Sequence, residues 1–207
     1  MSEMPVHLAA EGRIDIALLR RLLRDQGLTS GDEHGGRGKA QLDMRLRGYN
    51  RGAQRYPWVV LRDLDNDAAC AAEMVAKKLP KPERWMVFRI AVRQVEAWLM
   101  ADHGGLARTY RIAPASIPSE PEALPDSKQT LLAVLGQSKT REIRETMVRL
   151  RSGLPLNIGP QYNSQLEAFV ANHWDPQLAR KRSRSLDRTL ARLSAFADLV
   201  KQEWPTK

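Results

Sequence analysis

A single cysteine, Cys70, stands in the 207 residues, which excludes an intramolecular disulfide framework and a cysteine-based zinc cluster. The histidines are also few and scattered, at 7, 34, 103 and 173. With no HExxH pair on a helix, nothing supports a histidine-based zinc or nucleophilic site. No G-x-S-x-G elbow occurs, so serine-based hydrolysis has no support either. Long apolar runs are absent: stretches such as Trp58–Leu61 are far too short to cross a bilayer. Met1–Ala10 lacks the basic segment and long apolar core of a secretory signal. The expectation is a cytoplasmic protein with no membrane association. The run Gly35-Gly36-Arg37-Gly38-Lys39 has the composition of a phosphate loop, but Ala40 follows Lys39 and the spacing of a nucleotide-binding P-loop is not met.

What is abundant is positive charge. Lys and Arg number 33 against 24 Asp and Glu, a net charge of +9 and a pI near 10.0. Such an excess favours a polyanionic partner through phosphate contacts and counterion release. Hydrophobic residues at 43% and charged residues at 28% are ordinary for a globular chain, and the length suits one domain with a helical appendage.

Hydrophobic periodicity orders the first half. Pro5–Ala10 reads as a strand ending at Glu11-Gly12, and IDIALLRRLLRDQG as a helix stopped by Gly27. The glycine-rich loop leads into a basic helix from Lys39 to about Gln54. WVVLRD reads as a buried strand, DAACAAEMVAKKL as a helix, WMVFRIAV as a strand and QVEAWLMAD as a helix. This alternation is the pattern of an α/β sheet with mostly parallel strands flanked by helices. After Gly104-Gly105 a proline-rich loop leads to helical patterns at 128–136, 139–150, 160–172 and 183–202, with no convincing strand. The expected organisation is an α/β core over 1–111 and a helical region over 112–207, packed as one compact unit.

The strongest chemical signal is Asp63-Leu64-Asp65-Asn66-Asp67, where a buried strand gives way to a loop and helix. Alternation in an extended segment would point Asp63 and Asp65 to one side, as a pair of carboxylates for a hard cation such as Mg2+. Asp67 alone reads as a helix N-cap. Glu11 ends the first strand, and the C-terminal edge of a parallel sheet is where ligands gather in α/β folds. Asp15, one turn later, suits a helix N-terminus. Glu96 follows the strand RIAV onto the same expected edge, Trp98 reads as core, and Asp102 reads either as a site residue or as a solvent-facing helix end.

These residues resemble a known family. EGRID, VVLRDLDND with its following Cys-Ala helix, and RIAVRQVEAWLMAD look like the DUF4276 family, which is similar to Toprim domains. The likeness continues through PDSKQTLL, GPQYNSQLEAFV and SRSLDRTLARL and covers nearly the whole chain. It implies a Toprim-like fold in which a glutamate after the first strand acts as general acid/base or metal ligand and an Asp-x-Asp holds magnesium. Those roles fall on Glu11, Asp63 and Asp65, and the position of Glu96 after the strand RIAV makes it a further candidate metal ligand. It also implies Mg2+ or Mn2+ as cofactor and a partner ATPase of the ABC or OLD type, in a phage-defence setting. No tyrosine stands in a topoisomerase context and no primase zinc motif exists, so the implied chemistry is metal-dependent phosphodiester hydrolysis in outline.

Among the basic residues, Lys39 in its flexible loop is a candidate to touch substrate phosphates, and Lys128 in PDSK could reach a phosphate or pair with an acidic residue. ARKRSRSLDR holds the densest positive run, with Arg180, Lys181, Arg182 and Arg184 as candidate nucleic-acid contacts. Three functions compete at this level. One is a Toprim-like Mg/Mn-dependent nuclease acting on DNA or RNA with an ATPase. Another is a non-catalytic nucleic-acid-binding or ATPase-regulating module of the same fold. The third is an adaptor whose basic helices dock on a partner. The acidic cluster favours the first over the third.

Overall fold

The computed structural model describes residues 4–149 and 156–205. By internal contacts the chain forms two compact units, one running to Ala91 and resuming at Asp187, the other Val92–Leu186. The boundary read from sequence stood at 111 instead.

The first unit holds β1 (Val6–Ala10), α1 (Arg13–Asp25), β2 (Ser30–His34), α2 (Gly38–Gly52), β3 (Trp58–Asp63), α3 (Ala71–Lys78) and β4 (Met86–Ala91). All four strands are parallel, in the order β2-β1-β3-β4. Val6, Leu8 and Ala9 of β1 and Val59, Val60 and Leu61 of β3 are fully buried, as expected of strands covered by helices on both faces. Helix α1 buries Ile14, Leu18, Leu19, Leu22 and Leu23 on its apolar stripe. It stops at Gly27, whose φ of 67 places it in the left-handed region. The Gly27 N–H donates to the Arg24 carbonyl at 2.9 Å and the Leu28 N–H to the Leu23 carbonyl at 3.0 Å, which satisfies the last carbonyls of the helix.

Strand β2 was not foreseen. SGDEH has no apolar alternation, and it pairs only with β1 at the sheet edge, where polar residues are tolerated and even protective. Helix α3 also begins later than its alanine-rich sequence suggests. The extended Cys70 caps it, accepting the Glu73 N–H at 3.5 Å, while the Glu73 carboxylate takes the Ala69 N–H at 3.0 Å. Asp67 is therefore not the cap.

The second unit contains α4 (Val95–Ala101), α5 (His103–Tyr110), two short 3-10 turns, α6 (Ser127–Leu135), α7 (Arg141–Met147), β5 (Val148–Arg149), β6 (Asn157–Ile158), α8 (Tyr162–Asn172) and α9 (Pro176–Ala179). Helix α10 (Arg184–Glu203) begins in this unit and carries the chain into the first. Strands β5 and β6 pair antiparallel, correcting the expectation of no strand in this half. Two residues each is too short for periodicity to register. The predicted helix over 139–150 accordingly ends at Met147, and residue 150 lies outside the described residues. Trp98 is core as read: it is fully buried, and its indole N–H donates to the Ser185 hydroxyl at 2.7 Å. Among the described residues no helix is long and apolar enough to cross a membrane.

Candidate functional site

The chain runs from β1 outward to β2, then returns past β1 to place β3 on its other side. The order reverses between β1 and β3, and in open parallel sheets a crevice opens beyond the strand ends at that point. Ala10 is in register with Leu61, so Glu11 and Asp63 leave the sheet side by side at its C-terminal edge. The Asp63 N–H donates to the Glu11 carboxylate, Oε1, at 3.0 Å. Sequence placed these two residues on one edge, and geometry brings them into contact.

The glycine-rich loop fastens Glu11 from the other side. The N–H groups of Gly36 and Gly38 both donate to the Glu11 carbonyl, at 3.1 and 3.0 Å. Gly36 and Gly38 have φ of 78 and 74, values that favour glycine. A Cβ on Gly35 would lie 2.6 Å from the Ile16 side chain. The loop's composition thus serves to clamp a backbone carbonyl. Gly12 has a related constraint: a Cβ there would stand 2.9 Å from the carboxylate of Asp15, which is buried in the first turn of α1.

Asp65 reaches the site by a different route from the one expected. Strand β3 ends at Asp63, and Asp65 has a φ of 47 within a turn closed by the Asp67 N–H on the Leu64 carbonyl at 3.2 Å. Extended alternation does not persist to residue 65; the turn positions it, and aspartate tolerates the left-handed region better than most residues. Lys39, in the first turn of α2, places Nζ 3.0 Å from Asp65 Oδ2 and 3.1 Å from Asp67 Oδ2. Hydrogen bonds to Asp65 and Asp67 raise the Lys39 pKa. Instead of standing free in a flexible loop, Lys39 is held by two aspartates.

Beneath this turn lies a residue the sequence reading passed over. Arg62, on β3, is 2% exposed. Its Nε donates to Asp43 Oδ1 at 2.8 Å and its Nη2 to Asp67 Oδ2 at 2.6 Å and Asp43 Oδ2 at 3.2 Å, while Nη1 donates to the Asp63 carbonyl at 2.6 Å. Burial opposes its charge, but the bonds to Asp43 and Asp67 outweigh burial and raise its pKa. Asp43 also receives Lys78 Nζ at 2.5 Å. Burial pushes its pKa up, yet the bonds from Arg62 and Lys78 bring it below the ordinary value. The available signal was an arginine inside the apolar run VVLRD, since a buried charge needs partners.

Glu11 is the exception in this network. Burial, reinforced by the Asp65 charge, raises its pKa despite the Asp63 N–H and the opposing charges of Arg62 and Lys39. Among the described residues no group of three or more His, Cys, Asp and Glu side chains is arranged to hold a metal ion. The donor chemistry nevertheless suits a hard divalent cation. Glu11 and Asp65 supply carboxylate oxygens, and a cation relieves the unfavourable interaction that raises Glu11. In the structure Lys39 provides positive charge at Asp65.

The remaining candidates have other surroundings. Glu96 belongs to the second unit and is 2% exposed, with Lys128 Nζ at 3.3 Å and the Tyr162 hydroxyl donating to Oε1 at 3.3 Å. Lys128 is thus paired with a carboxylate. Asp102 is buried and caps α5, accepting the N–H groups of Gly105 and Asp175, each at 2.9 Å, so it is not solvent-facing. Arg180 donates to Gln177 at 3.1 Å, and Lys181, Arg182 and Arg184 are exposed. The N–H of Arg184 donates to Glu122 at 3.1 Å, as does that of Ser185 at 3.0 Å.

Comparison with family models, with curated proteins and with solved structures finds no match to this chain.

Proposed function

We propose that the chain is a Toprim-like nuclease that hydrolyses nucleic-acid phosphodiesters with Mg2+ or Mn2+ at its sheet edge. The observation carrying this reading is the contact of Glu11 with Asp63 across the strand-order reversal, with the Asp65 charge felt at Glu11. The resemblance to the DUF4276 family assigns catalytic roles to the same three residues. It also extends the proposal to an ABC- or OLD-type ATPase partner and a role in phage defence.

Glu11, Asp63 and Asp65 would hold the cation, which when bound polarises a phosphoryl oxygen and lowers the pKa of water. Glu11 has one carboxylate oxygen committed to the Asp63 N–H, and Oε2 is the atom that would either complete the metal shell or accept a proton. Its raised pKa suits that exchange. Beside the acidic edge, an open cleft of about 350 Å³ is lined by Lys39, Lys77, Lys78 and Arg62 as well as Asp43 and Asp67. Its positive excess suits the approach of a phosphate backbone. Glu96 belongs to the second unit, where its Oε1 meets Lys128 and Tyr162, and it is left out of the proposed ligand set.

The test is cleavage of labelled single- and double-stranded DNA and RNA in Mg2+, Mn2+ or EDTA. Metal-dependent cutting that is lost in Glu11→Gln and in Asp63→Asn with Asp65→Asn supports the reading. Cutting at the normal rate by either variant refutes it. One observation favours a second reading, a non-catalytic nucleic-acid-binding or ATPase-regulating module: Lys39 already neutralises Asp65 and Asp67. That reading expects binding without cutting and no thermal response to either metal.

A further inference from the structure

A second concentration of charge lies in the first unit, and the acidic edge does not use it. Arg89, on the edge strand β4, is half-buried, and its Nε donates to the Thr189 hydroxyl at 3.2 Å. Thr189 is fully buried on α10, on the face that also carries Leu186, Leu190 and Leu193. Arg188 adjoins it in sequence, and Arg192 lies one turn further on; both are exposed. Residues four apart lie on one side of a helix, so Arg188 and Arg192 flank the point where Arg89 meets α10.

Like charges so placed repel one another. Burial, and then the charges of Arg192 and Arg188, hold the Arg89 pKa below its ordinary value. Two other arginines of this unit are paired: buried Arg62 with Asp43 and Asp67, and exposed Arg20 with Glu33 at 2.6 Å. Among the described residues Arg89, Arg188 and Arg192 have no ion-pair partner. The Nε bond to Thr189 orients the Arg89 guanidinium and leaves both Nη groups to donate as a fork. That arrangement matches two oxygens of one phosphate.

We propose that Arg89, Arg188 and Arg192 form a phosphodiester-binding surface for a nucleic acid, with Arg89 as the oriented fork and the two helix arginines as flanking charges. The choice of nucleic acid over an acidic protein rests on the functional reading above and on the net charge of +9. The surface is proposed in addition to the basic run at 180–184 that the sequence singles out.

The experiment is fluorescence anisotropy of a labelled oligonucleotide across a salt series. EDTA is present throughout, so the result stands whether or not the acidic edge cuts. Arg188→Gln with Arg192→Gln changes only exposed side chains and should fold normally. If each arginine neutralises one phosphate, the log–log salt slope should fall by roughly 1.4 to 1.8. Between about 50 and 200 mM salt, the wild type should then lose roughly seven- to twelve-fold more affinity than this variant. Arg89→Lys keeps the charge and removes the fork, so it should weaken binding at an unchanged slope. An unchanged slope in the double glutamine variant, or wild-type affinity in Arg89→Lys, overturns the proposal. So does a failure of the wild type to bind the oligonucleotide. Poly-glutamate that competes as well as an unlabelled oligonucleotide of equal charge would reassign the surface to an acidic protein.

Discussion

Replacing Arg62 by methionine tests whether the charge network under the acidic turn holds the site together. The substitution keeps most of the apolar stem of a side chain that is 2% exposed and deletes the guanidinium. Four hydrogen bonds go with it, three of them to the carboxylates of Asp43 and Asp67. Removing one partner of a fully buried ion pair costs about 3–5 kcal/mol. Here the orphaned carboxylates are 20% and 34% exposed and retain Lys78 and Lys39, so the lower end applies, about 3 kcal/mol. For a chain of this size that is roughly 6–12 °C in melting temperature. Urea denaturation supplies the free energy and calorimetry the temperature. Arg62→Lys should recover part of the loss, because it restores charge without the fork. Adding Asp43→Leu to Arg62→Met should also recover part, because the half-buried carboxylate left with Lys78 as its one remaining cation is removed as well. A loss below about 1 kcal/mol for Arg62→Met, or a stabilised variant, would show that desolvating the arginine cancels what its partners return. The account of the site's rigidity would then fail.

Three further outcomes follow from the same geometry. The folded-state pKa of Glu11 is raised by burial and by Asp65, so its protonated form stabilises the fold below the ordinary glutamate range, and that contribution is lost as pH rises through the folded value. Glu11→Gln should therefore match the wild type in acid and exceed it near neutrality; a variant less stable only at neutral pH contradicts the assignment. Lys39→Met removes the cation that competes for Asp65, so under the nuclease reading Mn2+ should raise its melting temperature at least as much as it does the wild type's, and a response confined to the wild type would count against a shared site. Gly36→Ala forces a side chain into a φ of 78, which should cost about 1–2 kcal/mol and, by loosening the grip on the Glu11 carbonyl, lower any cleavage rate more than Gly48→Ala does.

The parts of this structure legible in sequence are those that periodicity and strand-end position govern. WVVLRD and WMVFRIAV announce buried parallel strands, and Glu11 and Asp63 could be assigned to one edge because both end such strands. Strand β2 escaped because an edge strand with polar residues has no alternation to detect. Asp65 was placed at the right edge for the wrong reason, since a left-handed turn rather than an extended strand presents it. The partners of charged residues were the least legible: Lys39 looked available for phosphate, Asp67 looked like a cap, and Asp102 looked ambiguous. Each is settled by residues distant in sequence, Asp65 for Lys39, Arg62 for Asp67 and Asp175 for Asp102. Local spacing carries no record of such pairings.

The distribution of charge gives the first unit a consistent logic. Asp43, Asp65 and Asp67 are each matched by Arg62, Lys39 or Lys78, and the matched groups shift toward their charged forms where a shift is resolved. Two places depart from that pattern. Glu11 is a carboxylate whose charge the fold disfavours, and Arg89 is a guanidinium whose charge the fold disfavours. Local interactions relieve neither: the N–H of Asp63 does not offset the burial of Glu11, and a threonine hydroxyl does not offset Arg188 and Arg192. Under the two proposals opposite ligands would satisfy these departures, a cation at Glu11 and an anion at Arg89. On those proposals a nucleic acid would bring both requirements into one reaction, because the phosphates presented to the arginines would belong to the same backbone as the bond that the acidic edge is proposed to cut.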